Sequence, residues 1–335
     1  MNGQRGTMVV SLDLELCWGR FDKVPVPMLE ADASEERIQI KRLLALLDRY
    51  EIPATWAIVG HLMLAGCSRH AGAAHTDVMP RPDYSWFPKD WYVHDPCTSA
   101  IQSPGWYAPD ILEWIRATRV RHEIASHSFA HIYYGDPECS ATAARADLTA
   151  AMAAASQHDV PLRSFVFPRN QVGHLDVLRA QGIRAYRGAD PTRFRRTKGI
   201  LYKTLSFLDQ LLGLPPKAVR AAEVMPGLWN IPGNHFYMAR NGLRKMIPMA
   251  SRVWKGKQGI RQAIQTGGVY HLWFHPFNLN ADADAMLSGL EQLFAYARRL
   301  REQGVLDIFT MDDYRARLTA CASETVGTAS SGVLA

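Results

Sequence analysis

Residues 7–16 read TMVVSLDLEL. An apolar, β-branched run that closes on Asp13 and Glu15 predicts a strand over 7–13 with both acids at its C-terminal end. Side chains two apart on a strand point the same way, so the two carboxylates can face one cavity. At the C-terminal end of a barrel strand this is where catalytic groups collect. Taken alone, D-x-E is more simply a strand running into a polar turn. The preceding MNGQRG carries one Arg, and the apolar run is broken at once by the acids, which is not the form of a signal peptide. No stretch approaches the roughly 18 uninterrupted apolar residues of a spanning helix. The expectation is a cytoplasmic protein.

Outward from this strand, the chain alternates short β-rich runs with helical patterns, as repeated β-α units with a parallel sheet do. Strands are predicted over 54–59, 122–126, 163–167, 183–186, 268–274 and 305–310, and helices over 34–50, 108–120, 140–157, 173–181 and 282–303. The clearest helix is SEERIQIKRLLALLDRYEI, with Ser34 as its N-cap. About seven repeats predict a single-domain α/β fold, a distorted parallel (β/α)7-type barrel over residues 1–317, followed by a flexible tail over 318–335. Two segments break the rhythm. Residues 61–107 hold Tyr84, Trp86, Phe87, Trp91, Tyr92, Trp106 and Tyr107 without periodicity, and are expected to form an ordered wall near a pocket. Residues 191–262 carry 14 Lys/Arg against Asp209 and Glu223, a local charge of +12 in a chain of net +6. Such a patch favours phosphate-bearing partners. Leu201, Leu205, Leu208, Leu211 and Leu212 beside Arg195, Arg196, Lys198 and Lys203 can also lie in a headgroup layer, or as helices packed on the barrel.

With 47% hydrophobic and 21% charged residues, composition excludes disordered and collagen-like classes. The five cysteines, Cys17, Cys67, Cys97, Cys139 and Cys321, are scattered without a C-x-x-C pair. They signal neither a disulfide framework nor a thiolate zinc site, and are read as reduced and mostly structural.

Three further constellations carry chemistry. His127 and His131 in EIASHSFAH follow a predicted strand, and an i, i+4 pair on a helical turn presents two imidazoles to one ion. His271 and His275 repeat the spacing, but on a strand-like run. Two imidazoles and one carboxylate make a three-ligand site with a position left for water, the pattern of a catalytic zinc, and the second carboxylate is then free to act as a base. Arg169 in FVFPRNQ ends another strand; a buried Arg beside an Asp holds that carboxylate ionised. His275 in GVYHLWFHPFNL is placed to protonate a leaving amine. Read singly, Arg169 is as well a surface Arg and His275 more simply a core His.

In order, S-L-D-L-E (11–15), S-H-S-F-A-H (126–131), F-P-R-N (167–170) and W-F-H-P (273–276) resemble the polysaccharide deacetylase family. That is the NodB homology domain, or carbohydrate esterase family four, and the resemblance spans about residues 8–312. It implies a distorted β/α barrel whose divalent ion, of the Zn2+ type, is held by one carboxylate and two histidines. The commonest family form has adjacent acids, and here the second is Leu14. The resemblance is therefore to the branch, including membrane-lipid aminoarabinose deformylases, that spaces the acids two apart. It implies Asp13 as base, Glu15, His127 and His131 as ligands, and Arg169 and His275 in catalytic support. Where the family continues its arginine motif with Pro-Pro-Tyr, this chain has Asn170 and Gln171, and no clear match to the family's fourth motif is found. Trp18, Trp86, Trp106, Asn170 and Trp273 are expected to contact the substrate.

The implied activity is metal-dependent removal of an N-acyl group from a sugar, with a lipid- or nucleotide-linked glycan precursor at the inner membrane face as the expected substrate and peripheral membrane contact as a corollary. Its rivals are a deformylase or ring-opening amidohydrolase on the same scaffold and a non-catalytic glycan-binding homologue. Nucleic-acid binding is not expected, because no recognised motif accompanies the basic patch.

Overall fold

The computed structural model describes residues 5–191, 194, 197 and 199–330. Parallel strands form its framework: β1 (Gly6–Leu14), β2 (Thr55–Ile58), β3 (Glu123–Ser126), β4 (Ser164–Val166) and β5 (Ala185–Arg187) follow one another across the sheet. Then come β6 (Ala222–Met225), β7 (Leu228–Asn230), β8 (His235–Phe236), β9 (Val269–Phe274) and β10 (Leu306–Phe309). β6 is antiparallel to β7, and β9 returns to pair with β1.

The sheet closes through one extended segment. Its first half, β7, pairs with β5, and Ile231 N–H donates to Tyr186 O at 2.9 Å. Its second half, β8, pairs with β9, and Tyr237 N–H donates to Trp273 O at 2.9 Å. Residues 228–236 are thus the seventh stave. Sequence reading missed it because Pro232 and Gly233 interrupt the run. The run at 305–310 was counted in its place, yet β10 wedges beside the N-terminal half of β1, where β2 takes the C-terminal half.

Closure is visible in the packing. A small apolar cluster takes Val9, Ala57, Ala125, Val166, Ala185, Ile231 and Val269, one residue from each stave, with Met311 and Tyr314 beneath. The alternate residues of β1, Met8, Val10, Leu12 and Leu14, belong to the main core under the helices. This period of two sends Ser11 and Asp13 inward above Val9.

The helices are α1 (Val26–Tyr50), α2 (Pro109–Arg116), α3 (Ala141–Ser156), α4 (Leu175–Ala180), α5 (Gly199–Leu211), α6 (Met249–Thr266), α7 (Ala283–Glu302) and α8 (Met311–Ser330). α1 begins after Pro25, eight residues before the expected start, and Ser34 is not its cap. The Ser34 hydroxyl instead donates back to Glu30 O at 2.9 Å inside the helix. Leu29, Ala33, Ile40, Leu43, Leu44 and Leu47 form the buried face of α1. α8 runs on to Ser330, and Leu318 packs on the lower cluster.

The aromatic insertion is ordered: Tyr84, Trp91, Tyr92, Trp106 and Tyr107 are all buried in the main core. The basic segment supplies α5 and α6, which pack together, and of its expected amphipathic cations Arg195, Arg196 and Lys198 lie outside the described residues. Among the described residues no helix is long and apolar enough to cross a membrane.

Candidate active site

At the C-terminal ends of four staves the inward positions beyond the apolar layer carry polar groups. On β1, Val9 is followed by Ser11, Asp13 and then Glu15; on β3, Ala125 by His127; on β5, Ala185 by Arg187; on β9, Val269 by His271, Trp273 and His275. All of them are buried except His275, which is partly exposed.

Glu15 Oε1 lies 3.0 Å from His127 Nε2 and 3.1 Å from His131 Nε2. The expected helical turn is absent. His131 reaches the site from a loop in which Ser128 (φ 70°) and His131 (φ 58°) are left-handed, and Asp147 holds that loop by accepting from Phe129 N–H (2.8 Å), Ala130 N–H (3.2 Å) and the Ser128 hydroxyl (3.1 Å).

The donor set fits a cation. His127 Nδ1 faces Val166 O at 2.8 Å, and a carbonyl only accepts, so this nitrogen carries the hydrogen. In the neutral form in which an imidazole ligates a metal, Nε2 turns its lone pair toward the point that Glu15 Oε1 also faces, where a cation takes both. A carboxylate and two imidazoles are a divalent-metal donor set of the zinc class. Burial raises the pKa of Glu15, but His275, His131 and His127 outweigh it and hold the carboxyl well below the usual range.

Glu15 stands at the start of a 3-10 turn, Leu16–Gly19, that folds back under it. A Cβ at Gly19 would come within 1.7 Å of Glu15 Oε2. The same Cβ would stand 2.7 Å from Glu15 Cβ, so Gly19→Ala is expected to shift the turn and displace the carboxylate. Cation affinity should fall at least about tenfold, as when a ligand's support is lost. Metal titration alongside circular dichroism checks this, and unchanged affinity would refute the cradle.

The partner of Asp13 is not Arg169. Arg187 donates from Nη1 to Oδ1 and from Nη2 to Oδ2, both at 2.7 Å, with its own side chain 1% exposed. Burial raises the Asp13 pKa, yet Arg187, then His127 and His275, bring it below its ordinary value. Arg187 also donates to Ser11 Oγ (3.0 Å) and Asn170 Oδ1 (3.2 Å) and lies over the Trp273 ring at 4.2 Å. Its signal was present in IRAYRG: it follows Ala185 by two, but fell one residue past the predicted strand.

Arg169 is placed differently because the P-R-N turn is left-handed at Arg169 and Asn170. Its Nη2 donates to Gly19 O (3.0 Å) and Asp22 Oδ1 (3.1 Å), and its Nε to the Tyr133 hydroxyl (3.1 Å). It therefore ties down the turn that carries Glu15. Asp22 and Tyr133, which complete this cluster through a 2.8 Å hydrogen bond, had no distinguishing pattern in the sequence.

His275 Nε2 is 3.3 Å from Glu15 Oε1 and 3.7 Å from Asp13 Oδ2, with Nδ1 3.3 Å from Asn278 Oδ1. Burial opposes its protonation, but Glu15 and Asp13 raise its pKa above the ordinary value. His271, the other member of that spacing, is a floor residue, with Nε2 2.8 Å from Ser11 Oγ.

The aromatic expectations divide. Trp18 and Trp106 are each 1% exposed and pack edge to face at 5.3 Å, so they form core behind the site and do not offer a surface to substrate. Trp86 is 43% exposed and stacked on Tyr133 at 5.2 Å, beside His131. Trp273 stacks on Phe236 at 4.3 Å and donates to Asp190 Oδ1 at 2.9 Å. Trp273, Phe236, Asn170 and Asp190 line a cavity of about 360 Å³ whose far wall includes Tyr202 of α5.

No protein-family profile matches the chain, and no curated protein sequence does. Solved structures do. A protein named as a polysaccharide deacetylase of Mycobacterium smegmatis aligns over 96% of this chain and 92% of its own, at 14% identity and TM-score 0.60. One so named from Pseudomonas aeruginosa PAO1 aligns over 94% and 92%, at 12% identity and TM-score 0.58. This chain has the polysaccharide deacetylase fold. The Puue allantoinase aligns over 96% and 92%, at 12% identity and TM-score 0.60, so the polysaccharide deacetylase fold is shared by a protein of another name.

Proposed function

We propose that this chain is a metal-dependent hydrolase that removes an N-acyl group, most simply acetyl, from an amino sugar. The observation that carries the reading is the meeting of Glu15 Oε1 with Nε2 of His127 and His131 within 3.1 Å, beside a paired Asp13 and a third imidazole, His275. Glu15, His127 and His131 hold the ion, with zinc the best fit to the donors. A bound ion of this kind acts as a Lewis acid on the scissile carbonyl and acidifies water. Asp13, kept ionised by Arg187, takes the proton of the attacking water. His275, whose Nε2 lies between the carboxylates of Glu15 and Asp13, is placed to give a proton to the leaving nitrogen, which departs poorly without one. The products are a carboxylate and a free amino sugar. The cavity beside Trp273 and Phe236 suits a sugar ring, whose apolar face rests on aromatic side chains.

The finer reading is a lipid- or nucleotide-linked sugar. It is supported by α5, which walls the cavity while exposing Ile200, Leu201 and Leu208 in the basic segment. A flotation assay with anionic vesicles tests the membrane part, and absence of any preference for them removes it.

A second reading, hydrolysis of a non-sugar amide, is favoured by the equal likeness to the allantoinase. Metal-loaded protein is expected to release acetate from N-acetylated amino sugars and leave allantoin untouched. Turnover of allantoin with no release from any acetylated or formylated sugar would overturn the sugar reading.

A further inference from the structure

A second cluster of ligating side chains lies in the long insertion, outside the catalytic constellation. His61 follows β2, and Cys67, His75 and Asp95 come from the loops that continue it. His61 Nε2, His75 Nε2 and Asp95 Oδ2 are mutually 2.9 Å apart, and Cys67 Sγ is 3.4 Å from Asp95 Oδ2. All four ligand atoms fall within 4.8 Å of one another. His61 and Asp95 side chains are fully buried and His75 is 9% exposed.

The hydrogens that His75 Nε2 and Cys67 Sγ can supply converge on the lone pairs of His61 Nε2 and Asp95 Oδ2, a point that a cation would take in their place. His61 Nδ1 faces Trp106 O at 3.1 Å, so the hydrogen of the neutral ring sits on Nδ1. Its Nε2 lone pair then points at Asp95 Oδ2 and at a second imidazole nitrogen, both 2.9 Å away. The other oxygen of Asp95 is fully engaged: Oδ1 accepts from the Tyr107 hydroxyl (2.6 Å) and Cys97 N–H (2.9 Å). These bonds aim Oδ2 at the common centre, as outer-shell partners do for ligands of a metal.

We propose that His61, Cys67, His75 and Asp95 bind a second divalent cation of the zinc class, a closed structural site that fixes the 61–107 insertion against the barrel. Two imidazoles, a thiolate and a carboxylate complete a tetrahedral zinc set, with no position left for water. Such a tie would add to the buried aromatics of an insertion poor in backbone structure. Its only regular structure among the described residues beyond the Gly60–Met63 turn is a hairpin of two-residue strands, Arg69–His70 with Ala73–Ala74. The site also backs the catalytic loops. The Phe129 ring, between His127 and His131 in sequence, packs on His61 at 5.5 Å and on His75 at 5.3 Å. The Trp18 ring, from the turn below Glu15, packs on His61 at 4.4 Å. Cys67 departs in this from the expectation that no cysteine serves a thiolate site: its partners His61, His75 and Asp95 are spread along the chain and include no second cysteine to form a C-x-x-C signal.

Cobalt(II) substitution of the full-length protein tests this independently of the catalytic reading, since a thiolate on cobalt gives a near-ultraviolet charge-transfer band that imidazole and carboxylate ligands do not. The band is expected in the wild type and in Cys97→Ser, and lost in Cys67→Ser. Metal content should be two equivalents in the wild type and one each in His75→Ala and His127→Ala. A wild type without the band, a band that survives Cys67→Ser, or His75→Ala holding as much metal as the wild type would overturn the proposal.

Discussion

Replacing His127 or His131 by Ala is expected to abolish the first-site cation and, with it, hydrolysis, by at least about a thousandfold. Each ring supplies one of three donors around a single Glu15 oxygen, and the remaining pair cannot hold the ion in place against water. Either ring is also buried, so its loss leaves Glu15 Oε1 facing fewer partners in a dry site. Asp13→Asn should behave in the opposite sense for metal and alike for rate. The amide keeps the shape of the carboxylate and leaves the three ligands untouched, yet it cannot take a proton. Metal content should be unchanged while kcat falls at least about a hundredfold. Metal analysis and single-turnover kinetics on the three variants check the pair of outcomes. Full activity in metal-stripped protein would refute the metal scheme, and loss of metal in Asp13→Asn would exchange the roles assigned to the acids.

How much of this was legible in the sequence depends on whether a residue's neighbours were local. The barrel was legible because every stave except one is a short β-rich run unbroken by Pro or an internal Gly, and such runs alternating with helical patterns are a local property. Asp13 and Glu15, and His127 and His131, were legible as spacings for the same reason, although the histidine loop reaches its geometry by left-handed residues and not by a helical turn. Arg187 was not, since its role is defined by a partner 174 residues away and its own surroundings resemble any polar strand end. Arg169 was placed beside Asp13 because both end barrel strands, but two consecutive left-handed residues turn it toward Gly19 and Asp22. Trp18 and Trp106 illustrate the same limit: large aromatics near a site look like binding surface until burial shows them as core. The seventh stave failed for a chemical reason, as Pro232 withholds a ladder donor and the two halves pair with different neighbours.

Removing Arg187 is expected to cost both stability and rate, in a way that separates its role from that of Arg169. Breaking a buried ion pair by deleting one partner typically costs about 3–5 kcal/mol, because the other charge stays buried and uncompensated. Arg187→Gln should therefore lower the denaturation midpoint sharply, and Asp13→Asn on that background should restore part of the loss by removing the orphaned charge. The rate falls because two parallel hydrogen bonds at 2.7 Å fix the direction of Asp13 as well as its charge. Arg187→Lys retains the charge without the planar fork, and should keep more stability than activity. Metal content should survive in all of these, since Arg187 touches none of Glu15, His127 or His131. Arg169→Ala, by contrast, loosens the turn under Glu15 and should weaken cation binding while leaving the Asp13 pair intact. Metal titrations and kcat measured on both arginine variants decide the assignment. If Arg169→Ala lowers kcat at saturating metal and Arg187→Gln does not, the base is oriented as the sequence alone suggested, and the paired geometry at Asp13 has no catalytic consequence.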